Sequence, residues 1–202
     1  MNILFVCTGN TCRSPMAEAL LKNKLQEGEV RSAGIFAGKG EPLAENSALV
    51  LREVDLHLDH KTSPVDSEVL GWADLVLTMT DRHKQTLALQ YPDHQEKFYT
   101  LKEYVLIEEE QWTHLKNLYS AFEEKRLSII HEYQDKVDEH ELEQKLFEEL
   151  EEEIQEIEQL EKELPDLNIS DPFGGNLTVY RNTRDELEEY IDRLVKKIHG
   201  GE

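Results

Sequence analysis

Four consecutive apolar residues, Ile3-Leu4-Phe5-Val6, run directly into Cys7-Thr8-Gly9-Asn10-Thr11-Cys12-Arg13-Ser14 and then Pro15. A short unbroken apolar run between polar segments reads as a strand covered on both faces. Proline is favoured in the first turn of a helix, where its missing N–H costs nothing, and Met16-Ala17-Glu18-Ala19-Leu20-Leu21 continues with strong helix formers. The chain therefore leaves a buried strand, curls through a short loop and enters a helix near Arg13 or Ser14. Gly9 and Asn10 suit the unusual dihedrals that such a curl requires.

The free N–H groups and positive end of that helix point back into the loop, and successive loop N–H groups can wrap an oxyanion. A thiol at a helix mouth beside a guanidinium is a setting for nucleophilic sulfur, which assigns that role to Cys7. Arg13 offers a planar fork for two oxygens of a transferring group, and Ser14 can donate a hydroxyl to the sulfur when it leaves. Thr8, Gly9, Asn10, Thr11, Cys12 and Ser14 complete a candidate phosphate-binding loop. Far downstream lies Asp171-Pro172-Phe173-Gly174-Gly175, which taken alone is a turn-forming segment.

Elsewhere strand and helix signals alternate. Strands are expected near Asn2–Val6, Val30–Ala33, Asp74–Met79 and Lys97–Thr100, with helices at about Pro15–Glu27, Asn46–Val54, Asp81–Tyr91 and Thr183–Ile198. The expected fold is α/β: a four-stranded parallel sheet with helices on both faces, its active loops at the carboxyl ends of the strands. Two cysteines leave no disulfide framework, and no stretch suits a signal peptide or a bilayer span, so a cytoplasmic enzyme is expected. A formal net charge of −21 disfavours nucleic acid and anionic membranes as partners. His57 and His60 lie close to Asp55 and Asp59, but no second cluster completes a metal site, so neither metal nor other cofactor is expected.

In these residues the chain resembles the low-molecular-weight protein tyrosine phosphatase family, whose signature is Cys-x5-Arg-Ser/Thr near the N-terminus with an Asp-Pro loop near the C-terminus. Arg31-Ser32-Ala33-Gly34, His60-Lys61-Thr62-Ser63 and Ala73-Asp74-Leu75-Val76-Leu77-Thr78-Met79-Thr80 are also similar to family segments. The resemblance covers residues 1 to about 105 and about 167 to 199. It implies that Cys7 attacks phosphorus, Arg13 binds the phosphoryl oxygens, Asn10 holds the loop and Asp171 is the general acid, acting on a phosphorylated protein. Within the family, Thr11 resembles the threonine of the protein arginine phosphatase branch, whereas phosphotyrosine members usually have a bulky aliphatic residue there. A single ring, Phe173, followed by Gly174-Gly175, replaces the aromatic pair of phosphotyrosine members and leaves one face on which a guanidinium can stack. Phosphoarginine is the expected substrate, with phosphotyrosine as the alternative. Related arsenate reductases need two further downstream thiols, which this chain lacks. Cys12 is placed to capture an oxidised Cys7 as a reversible disulfide.

Residues 107–166 depart from that pattern. They hold 21 Asp or Glu against six Lys or Arg, a net −15 of the chain's −21. Glu108–Leu164 contains neither Gly nor Pro, and apolar residues recur at helical spacing on either side of a polar break at Asp138-Glu139-His140-Glu141. Two helices folded back as an antiparallel hairpin are expected as an insertion in a phosphatase domain formed by 1–106 and 167–202. Such an arm can contact basic protein regions; a single projecting helix that dimerises is the alternative. A third reading makes the whole chain a weakly catalytic interaction protein in which that arm does the work.

Overall fold

The apolar run of the N-terminus forms β1 (Asn2–Cys7), with Ile3, Leu4, Phe5 and Val6 wholly buried. The computed structural model describes residues 1–134 and 136–200. It divides into two compact units, Met1–Leu106 with Leu167 onward, and Ile107–Asp166.

In the first unit β1 pairs in parallel with β2 (Glu29–Gly34) on one side and β3 (Leu75–Thr78) on the other, and β4 (Phe98–Thr100) joins β3, giving the order β2-β1-β3-β4. The four strands lie where the sequence places them. Successive side chains of β1 point to opposite layers. Ile3, Phe5 and Cys7 share a cluster with Met16 and Leu20 of α1 (Arg13–Lys24) and with Leu187, Ile191 and Leu194 of the C-terminal helix Leu177–Ile198. Leu4 and Val6 face Leu70 of α3 (Ser67–Trp72) and Leu87 of α4 (Asp81–Gln90), α2 being Glu45–Arg52. Each fully buried side chain of this size contributes roughly 1.5–3 kcal/mol of apolar burial.

Three departures from the sequence reading have local causes. The C-terminal helix starts at Leu177 instead of near Thr183, because Asn176 caps it, its side chain accepting from Val179 N at 3.2 Å. Asp66 likewise caps the unexpected α3, accepting from Val69 N at 2.8 Å. A further short helix, α5 (Leu101–Leu106), follows β4 directly, and Glu103 and Thr100 bond each other's backbone N–H at 3.0 Å in a capping box.

The second unit contains α6 (Glu109–Tyr133), α7 (Glu139–Glu149) and α8 (Glu151–Glu163), which makes Leu177–Ile198 α9. The polar break is where expected: Asp138 caps α7 by accepting from Glu141 N at 2.9 Å. The helix expected after it is divided at Leu150. That division puts Glu151, Glu152 and Glu153 in the first turn of a new helix, where the macrodipole favours negative charge, instead of stacking them in mid-helix. Tyr119 of α6 donates to Glu161 of α8, Lys125 of α6 reaches Glu153 of α8 at 2.6 Å, and Lys145 of α7 lies 4.6 Å from the Tyr133 ring centre. Among the described residues no helix is long and apolar enough to cross a membrane.

Candidate active site

Cys7 ends β1 and Arg13 begins α1, so Thr8–Cys12 must turn the chain at the carboxyl edge of the sheet. The turn is pinned from outside. Ile35 N and Phe36 N donate to the carbonyls of Cys7 and Thr8 at 2.9 Å, Ala44 N donates to Thr11 O at 3.0 Å, and His60 Nε2 bonds Asn10 O at 2.7 Å. With these carbonyls drawn outward, the loop turns its N–H groups toward its concave side. Cys12 precedes the helix without a side-chain cap, and no acidic residue lies in the first turn, so nothing negative in that turn offsets the dipole.

Asn10 holds the curl together. It is fully buried with φ 55°, a left-handed conformation that Asn tolerates better than most residues. Its Nδ2 donates to Ser14 Oγ at 3.0 Å and Ser32 Oγ at 2.9 Å, and its Oδ1 accepts from Ser63 N at 2.9 Å. Ser32 in turn donates to the buried Glu18 at 2.6 Å. A Cβ at Gly34 would stand 2.7 Å from Thr8 O and 2.9 Å from Asn10 N, so β2 must end in glycine for the loop to close over it. Asn10→Ala removes three hydrogen bonds, two of them buried, and puts alanine at positive φ. It should cost roughly 2–4 kcal/mol of stability, read as a lowered midpoint in chemical denaturation. A midpoint unchanged from wild type would mean that the network is incidental.

The Cys7 sulfur lies on the floor of the loop, 3% exposed, with Ser14 Oγ at 3.0 Å and Asn10 N donating at 3.3 Å. Asn10 N is thus a fixed donor to the sulfur, and the Ser14 hydroxyl, which also lies 3.3 Å from Ala33 O, is placed to be a second one, as an anionic sulfur requires. Arg13 is buried, with Nη2 2.9 Å from Asp171 Oδ2 and Nη1 donating to Ile169 O at 3.4 Å. The Asp171 segment is held at the same sheet edge by Ile169 N donating to Met79 O at 2.8 Å and Asp81 N donating to Asn168 Oδ1 at 2.9 Å. Asp171 itself keeps 55% of its side chain exposed, and its Oδ1 accepts from Phe173 N at 3.2 Å. Thus residues 158 positions apart in sequence meet as carboxylate and guanidinium beside the thiol loop.

Thr8, Arg13, Asp171, Ile35, Phe36 and His83 are among the residues lining a cleft of ≈ 540 Å³. Phe36 and His83 were not singled out in the sequence. Phe36, 71% exposed, is the aromatic ring of this lining, whereas Phe173 is 80% exposed in its turn. His83 is buried in α4, with Nδ1 2.8 Å from the capping hydroxyl of Thr80 and Nε2 2.8 Å from Thr8 Oγ1. Burial, and then the Arg13 guanidinium, push its pKa down to about 4. The Thr80-x-x-His83 spacing at a helix start was the available signal, but nothing local indicates that the ring faces the loop. His60 enters the site through Asn10 O, while His57 stays exposed. Thr11 Oγ1 is 3.5 Å from Cys12 Sγ, and Cys12 Sγ is 3.3 Å from the buried Tyr180 hydroxyl, whose pKa is raised by burial and by that bond. Both cysteines are free thiols, and among the described residues no group of three His, Cys, Asp or Glu could hold a metal ion.

Comparison with known proteins agrees with this geometry. The family described as low molecular weight phosphotyrosine protein phosphatase matches residues 2–159, a span that stops short of Asp171. A protein-arginine-phosphatase of Geobacillus stearothermophilus is 35% identical over 197 residues, 97% of this chain and 95% of that protein. The low molecular weight protein-tyrosine-phosphatase PtpB of Staphylococcus haemolyticus is 43% identical over 105 residues, 52% of this chain and 75% of that protein. Among solved structures, the arginine phosphatase YwlE in a cysteine-to-serine mutant with a phosphorylated active site serine superimposes with TM-score 0.68 at 33% identity, covering 98% of this chain and 96% of that one. With the parallel sheet, the thiol loop and the family match in agreement, the chain belongs to the low molecular weight phosphotyrosine protein phosphatase family.

Proposed function

We propose that this protein is a cysteine-dependent protein phosphatase that hydrolyses phosphoarginine. The observation that carries the reading is the 2.9 Å contact between Arg13 and Asp171 at the mouth of the Cys7 loop. Arg13 and Asp171 line one cleft beside Thr8, the residue after Cys7, and their contact pairs a carboxylate with a guanidinium, the chemistry that an arginine leaving group presents, which supports the reading of Cys7 as nucleophile, Arg13 as anion fork and Asp171 as acid. In the first step the Cys7 thiolate attacks phosphorus. An S–P bond forms, the P–N bond breaks, and Asp171 gives its proton to the departing guanidine nitrogen. Arg13 and the loop N–H groups hold the phosphoryl oxygens, whose charge spreads in the transition state. Water then attacks phosphorus and Asp171 takes its proton. The S–P bond breaks, inorganic phosphate is released, and the Ser14 hydroxyl donates to the leaving sulfur, from which it stands 3.0 Å away.

Support for arginine over tyrosine comes from Thr11, from the lone ring and two glycines after Pro172, and from near-full-length similarity to a protein-arginine-phosphatase. A hydroxyl at position 11 leaves room for a branched guanidinium that a large aliphatic side chain would crowd. The tyrosine alternative rests on the family's own description and on likeness to PtpB. Turnover of phosphoarginine and phosphotyrosine peptides side by side decides between them. Thr11→Ile is expected to lower kcat/KM on phosphoarginine by about tenfold, the value of a contact or two in a shaped pocket, and to spare or raise phosphotyrosine cleavage. An unchanged ratio would mean that Thr11 does not set the substrate, and inertness of the wild-type protein on every phosphorylated peptide leaves only the interaction reading, in which the acidic segment 107–166 makes the contacts.

A further inference from the structure

Thr8 combines two properties that rarely coincide in a loop residue. It is exposed at the cleft, one position after Cys7, yet its hydroxyl is held 2.8 Å from the ring of a buried histidine. An exposed threonine ordinarily distributes among rotamers and loses entropy when a ligand fixes it. Here the rotamer is set in advance from below. His83 is itself fixed at both ends, by Thr80 Oγ1 2.8 Å from Nδ1 and by α4, whose first turn Thr80 caps by accepting from His83 N at 3.3 Å.

The hydrogen-bond inventory shows what this fixed hydroxyl offers. If His83 carries its proton on Nδ1, the Thr8 hydroxyl donates to Nε2 and keeps both oxygen lone pairs for the cleft. If the proton is on Nε2, Thr8 accepts it and keeps one lone pair and its own O–H. In either tautomer at least one acceptor site remains. The backbone amides of the loop and Arg13 supply donors for a phosphoryl group, so a lip acceptor is of little use to phosphate oxygens. It suits the other side of the scissile bond, where a guanidine brings N–H donors and a phenyl ring brings none. Phe36 and Asp171 line the same cleft and leave the planar group a face and a carboxylate.

We propose that Thr8, held in place by His83, is a specificity-determining residue that accepts a hydrogen bond from the guanidinium of the substrate, with His83 acting as its positioning residue. The proposal rests on the phosphoarginine reading above and adds to it a contact on the leaving-group side and a buried residue that acts through it.

The test measures kcat and KM on a phosphoarginine peptide and on p-nitrophenyl phosphate for wild type, Thr8→Val, Thr8→Ser, His83→Ala, His83→Gln and the double variant Thr8→Val/His83→Ala. Thr8→Val and His83→Ala should each lower kcat/KM on phosphoarginine by about tenfold, through KM more than kcat, and lower it on p-nitrophenyl phosphate by a clearly smaller factor, so that the ratio of the two substrates shifts. Thr8→Ser keeps the hydroxyl and should stay near wild type, and His83→Gln, which retains a hydrogen-bonding end, should recover part of the loss. The double variant should lose no more than the worse single one, because His83 works only through Thr8. Equal losses on both substrates, or additive losses in the double variant, would overturn the proposal and leave His83 as packing beneath the loop. Wild-type protein that cleaves phosphoarginine with an unchanged substrate ratio in Thr8→Val sinks this inference alone. Wild-type protein that cleaves only p-nitrophenyl phosphate and phosphotyrosine sinks the phosphoarginine reading and this one with it.

Discussion

Cys7→Ser is expected to end turnover on every phosphorylated substrate, a loss on the order of 10³-fold or more in kcat. The substitution keeps the shape of the loop. A serine oxygen can still accept from Asn10 N and meet Ser14 Oγ, the two groups now 3.3 Å and 3.0 Å from sulfur. What changes is the chemistry of the atom. A hydroxyl is a far weaker nucleophile near neutral pH than a thiolate, and an alkoxide is a poorer leaving group in the second step. The variant should therefore fold with wild-type stability, bind substrate, and at most accept one phosphate that it cannot release, which intact-mass measurement after prolonged incubation would detect. A variant that turns over near the wild-type rate would transfer the nucleophile's role to another group.

Asp171→Asn is the second large effect. A carboxamide has nearly the same volume but cannot pass a proton to a departing nitrogen or take one from water, and loss of a positioned general acid typically costs 10²–10⁴-fold. The loss in kcat/KM should be greater with phosphoarginine than with p-nitrophenyl phosphate, because nitrophenolate departs without a proton whereas an arginine nitrogen does not. If both substrates suffer equally, Asp171 acts by shaping the loop or by orienting Arg13, 2.9 Å away, and proton delivery must be sought elsewhere. A modest change in binding is expected as well, since removing the carboxylate frees a guanidinium that is otherwise buried against it.

The parts of this site that lie next to each other in sequence were legible from the sequence. Cys7, Arg13, Ser14 and the proline after them form one strand-to-helix passage, and its geometry follows from local rules about apolar runs and helix starts. Asp171 was singled out through the family resemblance, because Asp-Pro by itself marks only a turn. The residues that hold the loop in shape were not legible. Ser32, His60, Ser63 and His83 come from three different segments, and even where a segment resembles the family nothing local states its role until the parallel sheet brings the ends of β2 and β3 beside β1. Their selection is a tertiary event with no period or spacing to announce it. The same limit explains the helix boundaries. The start of α9 depends on one capping side chain at Asn176, and the interruption at Leu150 depends on where a run of glutamates finds a favourable dipole, both of which a broad apolar stripe conceals.

The alternation of β1 has a consequence for how such a chain can change over generations. Cys7 faces the α1 and α9 layer because it falls in step with Ile3 and Phe5, while Leu4 and Val6 turn the other way. Adding or deleting one codon anywhere between Asn2 and Val6 would invert that parity, sending the sulfur toward α3 and α4 and a hydrophobic side chain toward Ser14. Length is therefore frozen in the first strand to the single residue, in a molecule whose chain accommodates sixty residues between Leu106 and Leu167 as a compact unit of their own.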